Sequence, residues 1–175
     1  MWKILSLIAG VLAVTLYVAC FQLKNRKSII VCNILSRVFY VLQYCFLGSF
    51  TGAVMDISAM PSSFVASKKN HPFVKRFKLP IIILVNLIIV TVGLLSMFLL
   101  DNGNPLGILS ILGVLFETIA LWFTKENHIR IVSLLGAPCW FVYNMLCGAY
   151  ASAVGSVLTI ISIIVALVRY KKTSV

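Results

Sequence analysis

Residues 79–100 carry no charged side chain and a single amide, Asn86. A helix over that run is about 30 Å long at 1.5 Å per residue, which matches the hydrocarbon core of a bilayer. Such a helix satisfies its own backbone polar groups, as a lipid-embedded segment requires. The rest of the sequence supplies no soluble surface to set against it. Only 11% of residues are charged and the mean hydropathy is +1.07, whereas a soluble domain carries about 25% charged residues. The chain is therefore predicted to be all-α and polytopic, with the lipid bilayer as its first partner. At roughly 20 residues per span, its 175 residues accommodate seven helices: 2–21, 29–48, 52–67, 79–100, 106–123, 129–147 and 150–168.

The connections hold the charge. Lys24-Asn25-Arg26-Lys27, the stretch 68–78 and the tail from Arg169 are all basic. With the N-terminus outside, thirteen of the fifteen Lys and Arg residues fall in cytoplasmic connections, Lys3 falls outside and Arg37 lies within a span. The positive-inside rule then orients the chain N-out and C-in. The same topology accounts for the net charge of +11 without a nucleic-acid partner, since no aromatic residues interleave with the basic ones as such a surface would need. Lys3, the apolar run after it and Val18-Ala19-Cys20 share the order of a lipoprotein signal. Tyr17 before that cysteine, and the likeness of 109–123 to this helix, favour a retained span. Asp101-Asn102-Gly103-Asn104-Pro105 reads as a turn. The five cysteines, Cys20, Cys32, Cys45, Cys139 and Cys147, lie in or beside apolar segments without a CxxC, so they read as packing residues rather than disulfides or a zinc site.

Two stretches one hundred positions apart correspond. SRVFYVLQYCFLGSF (36–50) and GAPCWFVYNMLCGAY (136–150) place Gly48 on Gly148, Tyr40 on Trp140, Tyr44 on Asn144 and Phe50 on Tyr150, and Ala53 and Val54 continue onto Ala153 and Val154. An internal repeat of this kind predicts two related halves. Each begins outside, so the halves are parallel, and 79–100 is a linker that restores direction. The expected organisation is a three-helix bundle over 1–67, a basic cytoplasmic loop over 68–78, the linker helix 79–100, a second bundle over 101–168 and a cytoplasmic tail over 169–175.

Asn33, Arg37, Tyr40 and Tyr44 follow one another at spacings of 4, 3 and 4, which is one helical stripe. Ser133, Ala137, Trp140 and Asn144 form the same stripe in the later copy. Two readings stand: the stripes face each other across a solute cavity, or they join helices through interhelical hydrogen bonds. Arg37 lies about 12 Å of helix rise from the cytoplasmic end, so it should face the bundle interior and find a partner there. Asp56, in the next span at similar depth, is the candidate. Glu117 is a second membrane carboxylate, with proton coupling and a purely structural role both open. Pro61 interrupts the third span, with Ser62 and Ser63 beside it to satisfy the freed carbonyl. Ser152, Ser156, Thr159 and Ser162 form a face of small residues suited to close packing, and Gly10 and Gly113 serve the same end. Asp101 and Glu126 read as ordinary loop charges. No HExxH, GxSxG or phosphate-cradling glycine loop occurs, and His71 and His128 sit in basic loops. No enzyme activity, cofactor or metal is expected.

Cys139-Trp140-(x3)-Asn144-(x3)-Gly148, preceded by the helix at 106–123 and followed by a span ending in Arg169, resembles the YgjV-type bacterial inner membrane proteins. Leu47-Gly48-Ser49-Phe50 and Asp56 extend the resemblance into the first half. It implies a multi-pass protein of the bacterial inner membrane, more distantly similar to the SWEET, PQ-loop and nicotinamide riboside transporters. In those relatives two three-helix bundles and a linker helix enclose a solute site, to which Trp140, Asn144 and Asp56 would correspond. The chain departs from them in lacking a Pro-Gln dipeptide and prolines in its first and fifth spans, which argues against sugar transport by a proline hinge.

The expectation is a small-solute transporter or facilitator working by alternating access. Tyr40, Tyr44 and Trp140 would shape the solute site, with Tyr143 beside them. Asn33, Gln43 and Asn144 would supply hydrogen bonds, and Arg37 with Asp56 would form a gate. An aromatic and amide lining suits a neutral planar or polyhydroxyl solute. The alternative is a non-transporting scaffold or partner-binding protein, in which side chains fill the space around Trp140 and Asn144.

Overall fold

The computed structural model describes residues 2–23 and 26–171, all helix and short connections, with no strand among them. Of the expected first loop, Lys24 and Asn25 lie outside the described residues, as do residues 172–175 of the tail. Among the described residues eight helices follow in order: α1 Trp2–Gln22, α2 Arg26–Leu47, α3 Phe50–Ser67, α4 Pro72–Arg76, α5 Lys78–Leu99, α6 Leu106–Ala120, α7 Glu126–Leu146 and α8 Tyr150–Lys171. Parts of α1, α5, α7 and α8 are long and apolar enough to cross a membrane. Val31–Leu47 in α2 and Leu106–Ala120 in α6 are shorter apolar helices. The third expected span, α3, is not among either group. Thr51, Asp56, Ser62 and Ser63 dilute its apolar character, and all four are buried among the other helices.

The connection expected over 68–78 contains a helix of its own. Pro72 starts α4 at a position where its missing N–H costs nothing, and Lys75 and Arg76 close it. Lys69 is not a solvated loop charge: it is buried and donates to the Phe123 carbonyl, tying the end of α3 to the end of α6. Asp101, expected as a plain loop charge, accepts the Thr51 amide N–H at 3.2 Å and so caps the first turn of α3. Pro61 is not rescued by its neighbours as the sequence suggested. Ser63 donates to the Ala59 carbonyl at 3.0 Å, and Ser62 Oγ has no hydrogen-bond partner among the described residues.

The α2–α3 and α7–α8 turns share one construction. Gly48 and Gly148 adopt φ of +73° and +75°, a left-handed conformation that glycine adopts without strain. After them, the Ser49 N–H reaches the Tyr44 carbonyl at 3.1 Å and the Ala149 N–H reaches the Asn144 carbonyl at 2.9 Å. These are the wide-ring bonds that end a helix in a Schellman motif.

Neighbouring helices pack in a closed circuit: α1 on α2, α2 on α3, α3 on α6, α6 on α7, α7 on α8 and α8 on α1. The fifth helix, α5, lies against α3 and α6. Large apolar side chains such as Leu79, Leu87, Phe98 and Leu99 point outward, while Ser36, Arg37, Gln43, Thr51, Asp56 and Asn144 are buried. That inversion is expected where hydrocarbon is the outer solvent and polar groups must find partners inside. Buried hydroxyls turn back on their own helices: Ser36, Ser96 and Ser110 donate to carbonyls three residues earlier.

Candidate functional site

The centre of the bundle holds an ion triad. Arg37, 2% exposed, reaches from α2 to two acids on different helices. Its Nη1 donates to Asp56 Oδ1 on α3 at 2.7 Å, and its Nη2 donates to Glu117 Oε2 on α6 at 2.6 Å. Its Nε donates to Asn33 Oδ1, one turn earlier on its own helix, at 3.2 Å. Glu117 takes a further hydrogen bond from the Tyr17 hydroxyl of α1 at 2.8 Å. One guanidinium thus joins three helices, and Tyr17 adds a fourth through Glu117. Its planar fork can hold two carboxylates in fixed geometry, which an ammonium could not.

Aromatic rings form the adjoining wall. Tyr40 stacks on Tyr44 at 6.4 Å between centroids, and Tyr44 stacks on Trp140 at 6.2 Å with 16° between the planes. Tyr17 meets Tyr40 edge-on at 6.2 Å. The Tyr44 hydroxyl donates to Asn144 Oδ1 at 2.6 Å, so the α2 and α7 stripes meet directly. Trp140 is seated by Gly113 of α6, where an added Cβ would lie 2.8 Å from the indole.

Between triad and aromatic wall lies a cavity of about 30 Å³, lined by Tyr17, Arg37, Tyr40, Tyr44, Asp56, Glu117, Ala137, Trp140, Asn144, Ser156 and Thr159. That is room for about one or two water molecules. Of the residues singled out from sequence, Arg37, Tyr40, Tyr44, Asp56, Trp140 and Asn144 come together here. Asn33 acts one step back, through Arg37. Gln43 and Tyr143 do not line the cavity. Gln43 accepts a hydrogen bond from Ser152 and packs on Gly10, and Tyr143 lies against Gly52 while its ring edges onto Tyr44 and Trp140. Tyr17, Glu117, Ser156 and Thr159 belong to the lining although the sequence stripes omit them.

Several of these contacts join positions one hundred apart. Tyr17 bonds Glu117, and Tyr44 bonds Asn144. Gln43 meets Ser152 where Tyr143 meets Gly52, the same pair of positions exchanged.

A model of the Imp-YgjV family, bacterial inner membrane proteins, matches residues 4–174. The chain belongs to this family. No curated protein and no solved structure matches it. The family's inner-membrane setting agrees with the apolar exterior described above. In this YgjV-family protein the central polar groups are therefore enclosed by helices and shielded from lipid. The residue sequence reasoning weighed without placing, Glu117, is the one that completes the triad. A signal for it existed: the offset that lays Tyr40 on Trp140 also lays Tyr17 on Glu117.

Proposed function

We propose that this YgjV-family protein is a small-solute transporter or facilitator of the bacterial inner membrane. The observation that carries the reading is the central cavity, walled by a buried ion triad on one side and a stack of Tyr40, Tyr44 and Trp140 on the other. Membrane helices seldom hold an arginine and two carboxylates at such depth without a path or site to serve. The proposed arrangement is two parallel three-helix bundles, α1–α3 and α6–α8, with α5 as the linker between them. The packing circuit supports it, because exchanging the two sets of helices leaves the contacts among those six helices unchanged, α5 apart. Hydrogen bonds between positions one hundred apart support it too.

At about 30 Å³ the cavity is too small for a metabolite, so on this reading the bundle has to open to admit one. Alternating access would part α2 from α7, opening the Tyr44–Asn144 bond and the Tyr44–Trp140 stack. Released from each other, Tyr44, Trp140 and Asn144 offer two aromatic faces and an amide to a neutral planar or polyhydroxyl solute. The chain is oriented N-out and C-in in this proposal. It carries no covalent chemistry. The small volume is also what favours the alternative, a scaffold whose central side chains only pack.

Cysteine accessibility separates the two. In a cysteine-free background, single cysteines at Trp140, Asn144, Arg37 and Asp56 are treated with a membrane-impermeant thiol reagent from each side. Labelling at 140 and 144 that responds to added metabolites supports transport. A folded protein labelled at a loop control but at none of the four positions rules it out.

A further inference from the structure

The triad does not balance. Arg37 contributes one positive charge, and Asp56 and Glu117 would contribute two negative ones if both were ionised. Among the described residues, the groups facing Asp56 supply nothing more. From α2 they are Arg37, Tyr40 and Tyr44, from α6 Glu117, and from α1 Tyr17. The other neighbour of α3, α5, has no ionisable residue after Lys78 at its first position. The lining from α7 and α8 is Ala137, Trp140, Asn144, Ser156 and Thr159, none of them ionisable. Tyrosines are neutral near pH 7. An uncompensated charge in a low-dielectric interior is strongly disfavoured, so the closed bundle needs one further positive charge.

The two carboxylates are not equally provided for. Glu117 has a donor at each oxygen, Tyr17 on Oε1 and Arg37 on Oε2. Asp56 has only Arg37, on Oδ1, and its Oδ2 takes no hydrogen bond among the described residues. Thr159 Oγ1, in a residue 2% exposed, lines the same cavity and has no hydrogen-bond partner among the described residues. A polar atom buried without a partner points to an occupant that would satisfy it.

We infer that the cavity holds a proton on Asp56, bound when the bundle is closed and released when it opens. With Asp56 neutral, Arg37 and Glu117 form a balanced pair, and the protonated carboxyl shares the cavity with Ser156 and Thr159, whose hydroxyls are able to accept a hydrogen bond. A proton fits better than a metal cation. It needs one oxygen lone pair, whereas a metal cation needs several oxygens and would sit beside the Arg37 guanidinium. The inference deepens the transporter reading by naming the coupling ion, and the proton itself is testable without any solute.

Only four side-chain carboxyls exist in the chain, Asp56, Asp101, Glu117 and Glu126, so infrared spectroscopy of the full-length protein in lipid can resolve one. The expected result at neutral pH is a protonated-carboxyl absorption in the wild type. It should shift when aspartate carries a heavy carbon isotope in its side-chain carboxyl, and stay put when glutamate does. The band should survive Asp101→Asn and disappear in both Asp56→Asn and Glu117→Gln, because either change leaves Arg37 with one counter-charge. Isotope labelling of the wild type keeps the test valid if a variant misfolds. Absence of the band overturns the inference, as does a label effect on glutamate alone. So does a rise in thermal stability with sodium or potassium over choline at equal ionic strength, if Asp56→Asn abolishes it, since the charge would then be a metal cation. Failure of cysteine labelling at all four positions refutes transport and leaves the infrared result standing.

Discussion

Removing both acids around Arg37 should cost far more than the two single removals together. Asp56 and Glu117 each hold one end of a guanidinium that is 2% exposed. In Asp56→Asn the arginine keeps Glu117, and in Glu117→Gln it keeps Asp56, so each variant loses a hydrogen bond but not charge balance. Interhelical hydrogen bonds in membranes average about 0.6 kcal/mol, and each single variant should fall near that value. Additivity would then place the double variant near 1 kcal/mol. The double variant instead strands Arg37 in the bundle, and orphaning a buried charge costs about 3–5 kcal/mol. The excess of about 2 kcal/mol or more lies well above the roughly 0.5 kcal/mol scatter expected for independent sites. Adding Arg37→Met to the double variant removes the orphan and should recover most of the loss, since buried ion groups replaced by neutral ones are often neutral or stabilising in effect. Unfolding of the wild type and these four variants in mild detergent, followed by tryptophan fluorescence, gives the cycle. An additive double variant, or a triple variant no better than the double, would show that the three groups are not one electrostatic unit.

Other contacts make smaller but separable predictions. Tyr44→Phe and Asn144→Leu should each destabilise by about 0.6–1.7 kcal/mol, and the pair together should cost less than the sum, as read by the same unfolding assay. A Cβ at Gly155 would collide with Val14, so Gly155→Ala should cost about 1–3 kcal/mol through overpacking and be relieved by Val14→Ala. At Gly48 and Gly148 nothing lies within 4 Å of an added Cβ, so only backbone strain opposes a side chain. Alanine at either position should cost about 1–2 kcal/mol, and asparagine less, measured as a shift in thermal midpoint.

What the sequence displayed and what it concealed divide along physical lines. An uncharged run such as 79–100 declares itself because bilayer thickness fixes its length. The third helix was harder, since Asp56, Ser62 and Ser63 lower its apolar character for reasons that exist only once its neighbours are present. Within α2, the 3.6-residue repeat singled out Arg37, Tyr40 and Tyr44 correctly as one face. It could not do the same for Gln43. One residue from Tyr44 is a turn of about 100°, and that rotation sends Gln43 to Ser152 and Gly10. Tyr143 stands in the same relation to Asn144. Glu117 escaped because it meets Arg37 across 80 residues of chain, a distance at which periodicity within one helix is silent.

On the two-bundle reading, the positions that shape the fold match while those that carry charge do not. Gly48 and Gly148 build the same turn, and Ala53 and Ala153 are both buried. Arg37 answers to Ala137, Asp56 to Ser156 and Glu117 to Tyr17. The difference follows from where these residues lie. Side chains from both bundles converge on one cavity, so a faithful copy would set two guanidiniums and four carboxylates around about 30 Å³. Like charges at that spacing repel strongly in a low dielectric. Dividing the roles avoids this: one bundle supplies the cation and its first acid, and the other supplies the second acid and the small hydroxyls. Each bundle alone is then incomplete, α1–α3 with one arm of the Arg37 fork unfilled and α6–α8 with a carboxylate that has no counter-charge. On this reading the triad would form only where the two bundles meet, which would tie the electrostatics of the centre to their relative position.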